Sequence, residues 1–316
     1  EREGIAFALN LPEGSMNIWH NVHWLVPAVA RLYDHADPAV RTAAPQGVTL
    51  LLVFHGYSFL EGQDQPVIND NLAQQTRDLE AWVVRQAPLL RLLTSSPPLL
   101  LRGVAQRCFG RFLWGHAEMR ADRELVHPSS TGPSDVRLFR SVLIEQHGDD
   151  MAFLSQAFWR PPPLFAGPKA AGLVTLVPGE PVSVLVVQRD APDKRAFESL
   201  EGLAAAGLAP LATRGEAIWR VVEDLGQRPL IQQAAIFAGA EVMIGAVGAA
   251  LAWLLVMPPG GQVLEWLPRG MPNLLYRCSE AWNADPLGMF GGLGRLAGVD
   301  HVCLRSEVVA PMTTDR

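Results

Sequence analysis

The sequence predicts an α/β protein built on parallel sheets, and three observations carry that prediction. Continuous apolar runs end at glycine or charge, as in GVTLLLVFHG (47–56) and VSVLVVQRD (182–190), the pattern of strands buried on both faces. Past residue 180 such runs alternate with helix-length segments across short turns, which implies a parallel sheet covered on both sides. The 28 glycines and 25 prolines suit a loop-rich α/β chain better than a helical bundle. The 316 residues suffice for two domains of ordinary size, and 49% apolar residues can fill two cores. A net charge of −6 lacks the basic surplus of a general nucleic-acid binder.

Taken in order, MNIWHNVHWLVPAVARL (16–32) has apolar residues at helical spacing. A buried strand follows and ends at His55, then a helix over 72–85. The stretch 87–120 mixes leucines with arginines around Pro97-Pro98. It reads as a helix pair with snorkelling arginine stems, or as a lid, a membrane-surface segment or a protein-partner surface. VRLFRSVLIEQ (136–146) reads as a strand. The proline-rich passage that follows marks 161–180 as a linker, dividing an N-terminal domain, 1–160, from a C-terminal domain, 181–316. Beyond it the expected elements are a strand from 182, a helix over 197–206 and a short strand LAPLAT (208–213). A helix over 229–238, the strand EVMIGA (241–246), a helix over 248–256 and the strand GQVLEWLP (261–268) complete the series.

Cys108, Cys278 and Cys303 have no metal-ligand spacing. They read as buried thiols, with a Cys278–Cys303 bridge as the alternative. The longest uncharged apolar run, 242–259, is shorter than the roughly 20 residues that span a bilayer. The chain opens at Glu1 without a methionine or a signal-like segment, which reads as a portion of something longer.

In doubly wound sheets ligands bind at the carboxyl ends of the strands. That rule selects Gln188-Arg189, Gly245 to Ala249, and Glu265. IGAVGAAL (244–251) hands a strand to a helix through small residues, so an anion such as a diphosphate can approach the backbone amides. The same glycines also serve a tight turn without any ligand.

The run QQAAIFAGAEVMIGAVGAALAWLLVMPPGGQVLEWLP (232–268) resembles the signature of glycosyltransferase family 61. Gln233, Phe237, Ala240, Gly245, Gly248, Ala249, Leu251, Pro258, Pro259, Gly260, Glu265 and Pro268 fall in its register. MNIWHNVHWLVP, VVQRDAPDKRAF and LGRLAGVDHVCL are similar to three further stretches of that family. The resemblance implies a GT-B-like architecture, two Rossmann-like domains facing across a cleft. It also implies inverting transfer of a sugar from a UDP-sugar to a glycan or glycoprotein acceptor, with no metal or other cofactor required. For a eukaryotic member it implies the Golgi or endoplasmic reticulum lumen.

Such transfer needs a base for the acceptor hydroxyl and positive or dipolar groups for the departing diphosphate. His20, then His23, are the expected bases. Arg189 and Arg195 are the expected diphosphate contacts, Glu265 the ribose acceptor, and Gln233 a cap, a packing group or a nucleotide contact. The chain departs from the family pattern at three places. Val247 stands where the glycine motif has histidine, Trp24 where many members have an acid nearby, and Ala196-Phe197-Glu198 lacks the usual asparagine. An inactive, scaffold-like domain is therefore the alternative reading.

Overall fold

The computed structural model describes residues 2–11, 18–54, 57–58, 67–68, 72–101, 109–115, 132–159, 180–188, 200–267 and 289–305. It divides into two compact units, Glu1–His147 and Gly148–Arg316. Both are α/β units built on parallel sheets.

The first unit begins with β1 (Arg2–Leu11), which the sequence reading did not single out. Ile5 to Leu9 are all buried, as expected for a central strand covered on both faces. Then come α1 (Ile18–Tyr33), α2 (Pro38–Ala43), β2 (Val48–Phe54), the short pair β3 (Tyr57–Ser58) and β4 (Val67–Ile68), and α3 (Leu72–Leu90). The strands β5 (Leu99–Leu101) and β6 (Phe109–Gly115) complete a four-stranded sheet of order β5-β2-β1-β6. Where a helix pair was expected over 87–120, the described residues give the end of α3 and two strands of a parallel sheet. Leucine runs bounded by Pro97-Pro98 fit either state by periodicity alone.

The largest correction concerns α4 (Pro133–Trp159), a single helix of 27 residues where a strand over 136–146 was expected. Its buried residues Val136, Phe139, Arg140, Val142 and Leu143 follow helical spacing. Its start is also signalled. Pro133 occupies the first turn, and the Asp135 carboxylate accepts a hydrogen bond from the Gly132 amide at 2.7 Å. Near the end of the first unit, Tyr33 of α1 donates to the Leu92 carbonyl and accepts from Gln146 of α4, both at 2.9 Å. The next residue, His147, places Nε2 3.0 Å from the Pro88 carbonyl. The division between units falls inside α4, and the expected linker 161–180 lies outside the described residues except for Glu180.

The second unit holds β7 (Val182–Val187), α5 (Leu200–Leu203) continuing through a π-turn (204–208) into α6 (Ala209–Thr213), and β8 (Ala217–Val222). A short turn, α7 (Leu230–Ala238), β9 (Val242–Ala246), a 3-10 helix (Ala249–Val256), β10 (Gln262–Leu267), α8 (Met289–Ala297) and β11 (Asp300–Arg305) follow. The expected strand at 208–213 is helical. The strand comes afterwards as β8, reached through Gly215 at φ +71°. Of the helix expected over 248–256, Ala249–Val256 winds with 3-10 rather than α geometry, and Gly248 stands before it with extended backbone.

All five strands are parallel in the order β11-β10-β9-β7-β8. Val184 and Val186 pack with Leu208 and Ala217 on one face. Alternate residues Leu185, Met243 and Val263 are fully buried on the other. There α8 approaches closely, because a Cβ on its Gly294 would stand 3.3 Å from His301 Cβ. Pro258 to Gly261 form a tight turn before β10, with the Gly261 amide bonded to the Pro258 carbonyl at 3.0 Å. Gly260 sits at φ +81°, the turn position that favours glycine, and Pro259 precedes it. The Pro-Pro-Gly-Gly run is therefore accounted for by the turn. Cys303 is disulfide-bonded, so the three cysteines are not all free thiols. Cys108 and Cys278 lie outside the described residues.

Candidate functional site

In doubly wound sheets the strand order decides where a ligand can bind. In the second unit, counting strands in chain order, the sheet reads 2-1-3-4-5, and the chain reverses direction between β7 and β9. In sheets of this order a ligand commonly binds at the point of reversal, here at the carboxyl ends of β7 and β9. Val187, the last residue of β7, registers with Gly245 of β9. Gly245 in turn registers with Glu265 of β10, and Glu265 with Cys303 of β11. Parallel register aligns these four on one row and one face, close to the carboxyl edge. Arg189 and Arg195 lie outside the described residues.

Gly245 is buried, and the nearest atoms to an added Cβ would be the Met243 methyl at 2.6 Å and Val187 Cβ at 3.4 Å. The space left by its missing side chain is thus covered by the tip of a flexible methionine. Val247 is fully buried, and its amide donates to the Trp266 carbonyl at 3.0 Å. Its side chain belongs to the core. Gly248 is buried with extended backbone, while Ala249 and Ala250 are partly accessible at the start of the 3-10 helix. The first amides of a helix have no acceptor within it, so they are available to an anion.

Gln233 has a different task. Its Oε1 accepts from Trp253 Nε1 at 2.9 Å, and its Nε2 donates to the Arg228 carbonyl at 2.8 Å. The side chain is 4% exposed and ties α7 to the 3-10 helix. Of the roles considered for it, packing is the one the geometry gives, because both ends of its amide are engaged inside the fold.

Glu265 is 6% exposed, and its Oε2 lies 2.8 Å from His301 Nε2. His301 did not stand out in the sequence. The only signal available was its place in a strand-like run, and pairing with β10 emerges from tertiary register alone. A second buried carboxylate, Glu241, lies at the opposite, amino ends of the strands. Its Oε2 accepts from the Ser183 amide at 2.6 Å, and the single proton of the Ser183 hydroxyl has Glu241 Oε2 at 2.9 Å and the Gly239 carbonyl at 2.8 Å as alternative acceptors. Being at the wrong edge for the crevice, this group serves to clamp β7 to the α7–β9 turn.

In the first unit the sheet order, again counted along the chain, is 3-2-1-4, and the reversal falls between β1 and β6. His20 and His23 lie on the first turns of α1, the helix that follows β1 and therefore starts at the carboxyl edge. Their side chains are outside the described residues. Among the described residues no group of His, Cys, Asp and Glu is arranged to hold a metal ion. No described helix is long and apolar enough to cross a membrane.

No family model matches the chain, and no curated protein matches it. Among solved structures, the glycosyl transferase family 9 protein from Veillonella parvula DSM 2008 aligns over 97% of this chain and 86% of its own length. The identity is 12% and the TM-score 0.35. A likeness of that size defines neither family nor ligand.

Proposed function

We propose that the chain is a divergent inverting glycosyltransferase of GT-B-like architecture. It would bind a UDP-sugar in the second unit and transfer the sugar to a glycan or glycoprotein acceptor. The observation that carries this reading is the reversal between β7 and β9. It sets the end of β7, the Gly248–Ala250 amides and the Glu265 row toward the carboxyl edge of one sheet, where a nucleotide would bind in a doubly wound fold. In this scheme His20, or failing that His23, takes the proton from the acceptor hydroxyl as its oxygen attacks the anomeric carbon. The bond to the diphosphate breaks with inversion. Arg189, Arg195 and the amides at Ala249 and Ala250 stabilise the charge that develops on the departing UDP. The disulfide at Cys303 favours an oxidising compartment, in keeping with a secretory-pathway lumen.

Two observations favour a second reading, a glycosyltransferase-like domain that serves as a scaffold. Val247 leaves the glycine turn without a polar side chain, and the Met243 methyl covers the gap at Gly245. The scaffold would present a surface such as the Leu/Arg-rich stretch 87–120 to a partner. Isothermal titration of the intact chain with UDP separates the two. The transferase reading expects saturable binding that weakens when Arg189 becomes alanine. No heat of binding at millimolar UDP refutes it.

A further inference from the structure

We infer that His301 is a positioning residue that fixes the Glu265 carboxylate so that its second oxygen faces a ribose hydroxyl of the bound nucleotide. This rests on the nucleotide-binding reading above.

The argument starts from burial. The Glu265 and His301 side chains are only 7% and 10% exposed, and they meet at 2.8 Å. A carboxylate taken out of water is costly unless hydrogen-bond donors replace the water it loses. Among the described residues, His301 Nε2 is the one protein donor to Glu265, and it occupies Oε2. The buried polar atoms that lack a partner, again among the described residues, both belong to Gln86. Oε1 of Glu265 makes no hydrogen bond to any described residue, so its acceptor capacity is unused among them.

Register sets the order of the two groups. Glu265 pairs across to Cys303, whereas His301 pairs with Val263, two residues nearer the amino end of the sheet. Approached from the carboxyl edge, Glu265 comes first and His301 stands behind it. A histidine in that place meets no substrate directly. It anchors one oxygen, which fixes the plane of the carboxylate and the direction of the other oxygen. Gly245 lies beside Glu265 on the same row, with the tip of the flexible Met243 side chain over the space its missing side chain leaves.

The preference this creates is for a hydroxyl donor on the sugar of the nucleotide. A hydrogen bond to a charged carboxylate contributes about 1.5–3 kcal/mol, so a deoxy analogue should bind roughly 10- to 100-fold more weakly. The experiment titrates the intact chain with UDP, 2′-deoxy-UDP and 3′-deoxy-UDP, in the wild type and in His301→Phe and His301→Gln. Phenylalanine keeps the volume of the ring and removes the donor, and glutamine restores an N–H.

The expected result is discrimination against at least one deoxy analogue in the wild type, its collapse to within about threefold in His301→Phe, and its recovery in His301→Gln. If His301→Phe does not fold, the wild type and His301→Gln are compared with Glu265→Gln, which should lose discrimination while His301→Gln keeps it. Two results overturn the inference alone: UDP binding with no ribose discrimination in the wild type, or discrimination that survives His301→Phe despite a lowered Tm. The second would make the pair a structural tie between β10 and β11. Failure of the wild type to bind UDP removes the nucleotide-binding reading itself, and this inference with it.

Discussion

Replacing Gly239 with alanine should destabilise the second unit, although glycine-to-alanine changes in helical backbone usually do the reverse. Gly239 closes α7 with φ −93° and ψ −2°, a conformation any residue adopts, so the backbone would accept alanine. On that ground alone the change should stabilise by about 0.4–1 kcal/mol, through a less flexible unfolded chain. The obstacle lies across the packing interface. An added Cβ would stand 2.5 Å from Ser155 Oγ and 2.5 Å from Trp159 Cδ1, and would also strike Trp159 Nε1. Trp159 cannot move freely, because its Nε1 donates to the Ile236 carbonyl at 3.0 Å and its ring packs edge-on against Phe158 at 5.3 Å. Overpacking of this kind costs about 1–3 kcal/mol, and a lost hydrogen bond adds about 1 kcal/mol. The net effect is about 1–3 kcal/mol of destabilisation, since the steric term exceeds the entropic one. For a unit of this size that lowers Tm by roughly 4–8 °C at the middle of the range. Thermal unfolding followed by circular dichroism measures it. Adding Trp159→Ala to Gly239→Ala should show strong non-additivity, because the second change removes the clash. An unchanged or raised Tm in Gly239→Ala would refute the reasoning.

Three further outcomes are expected. Gly245→Ala meets only the movable Met243 methyl and an ordinary contact to Val187, so its unfolding free energy should change by less than about 1 kcal/mol. Its UDP affinity should nevertheless fall if ligand approaches that edge, and titration of the folded variant tests this. Glu241→Gln exchanges a carboxylate that accepts from the Ser183 amide and hydroxyl for a neutral amide, and should cost about 1–3 kcal/mol in urea unfolding. Wild-type stability there would show that the clamp contributes nothing. Burial pushes the Tyr33 phenol from 10.0 up to about 12, partly offset by the Gln146 bond and reinforced by the Glu145 charge. The folded state therefore favours the neutral phenol, so its contribution is intact below pH 10 and lost as pH rises through about 12. Tyr33→Phe should abolish this alkaline dependence, and phenolate absorbance against pH would reveal an ordinary titration if the idea is wrong.

Much of the second unit was legible before any coordinates, and particular elements show why. VSVLVV, EVMIGA and GQVLEWLP announce strands because residues buried on both faces must be apolar throughout. LIQQAAIFA announces a helix on similar grounds. β8 was less legible, since AIWRVV lies at the sheet edge and its arginine interrupts the apolar run. LAPLAT drew attention away from it, because a short apolar run fits strand or helix equally. VRLFRSVLIEQ misled for a related reason. Its alternation of charge and bulk imitates a strand, while the helix signal sat upstream in Gly132, Pro133 and Asp135.

The chain alone determined the class of fold, because burial imposes a period on the residues and that period is written locally. It also marked Gly245, Gly248, Ala249 and Glu265 as residues toward the carboxyl edge of the sheet. Which side chains of that unit the fold itself engages was decided by tertiary structure. Gln233 was drawn into a bond with Trp253, Val247 turned into the core, Met243 laid its methyl over Gly245, and His301 was set behind Glu265. Each of those outcomes depends on strands and helices distant in sequence meeting in one register, and no local pattern of side chains encodes such a meeting.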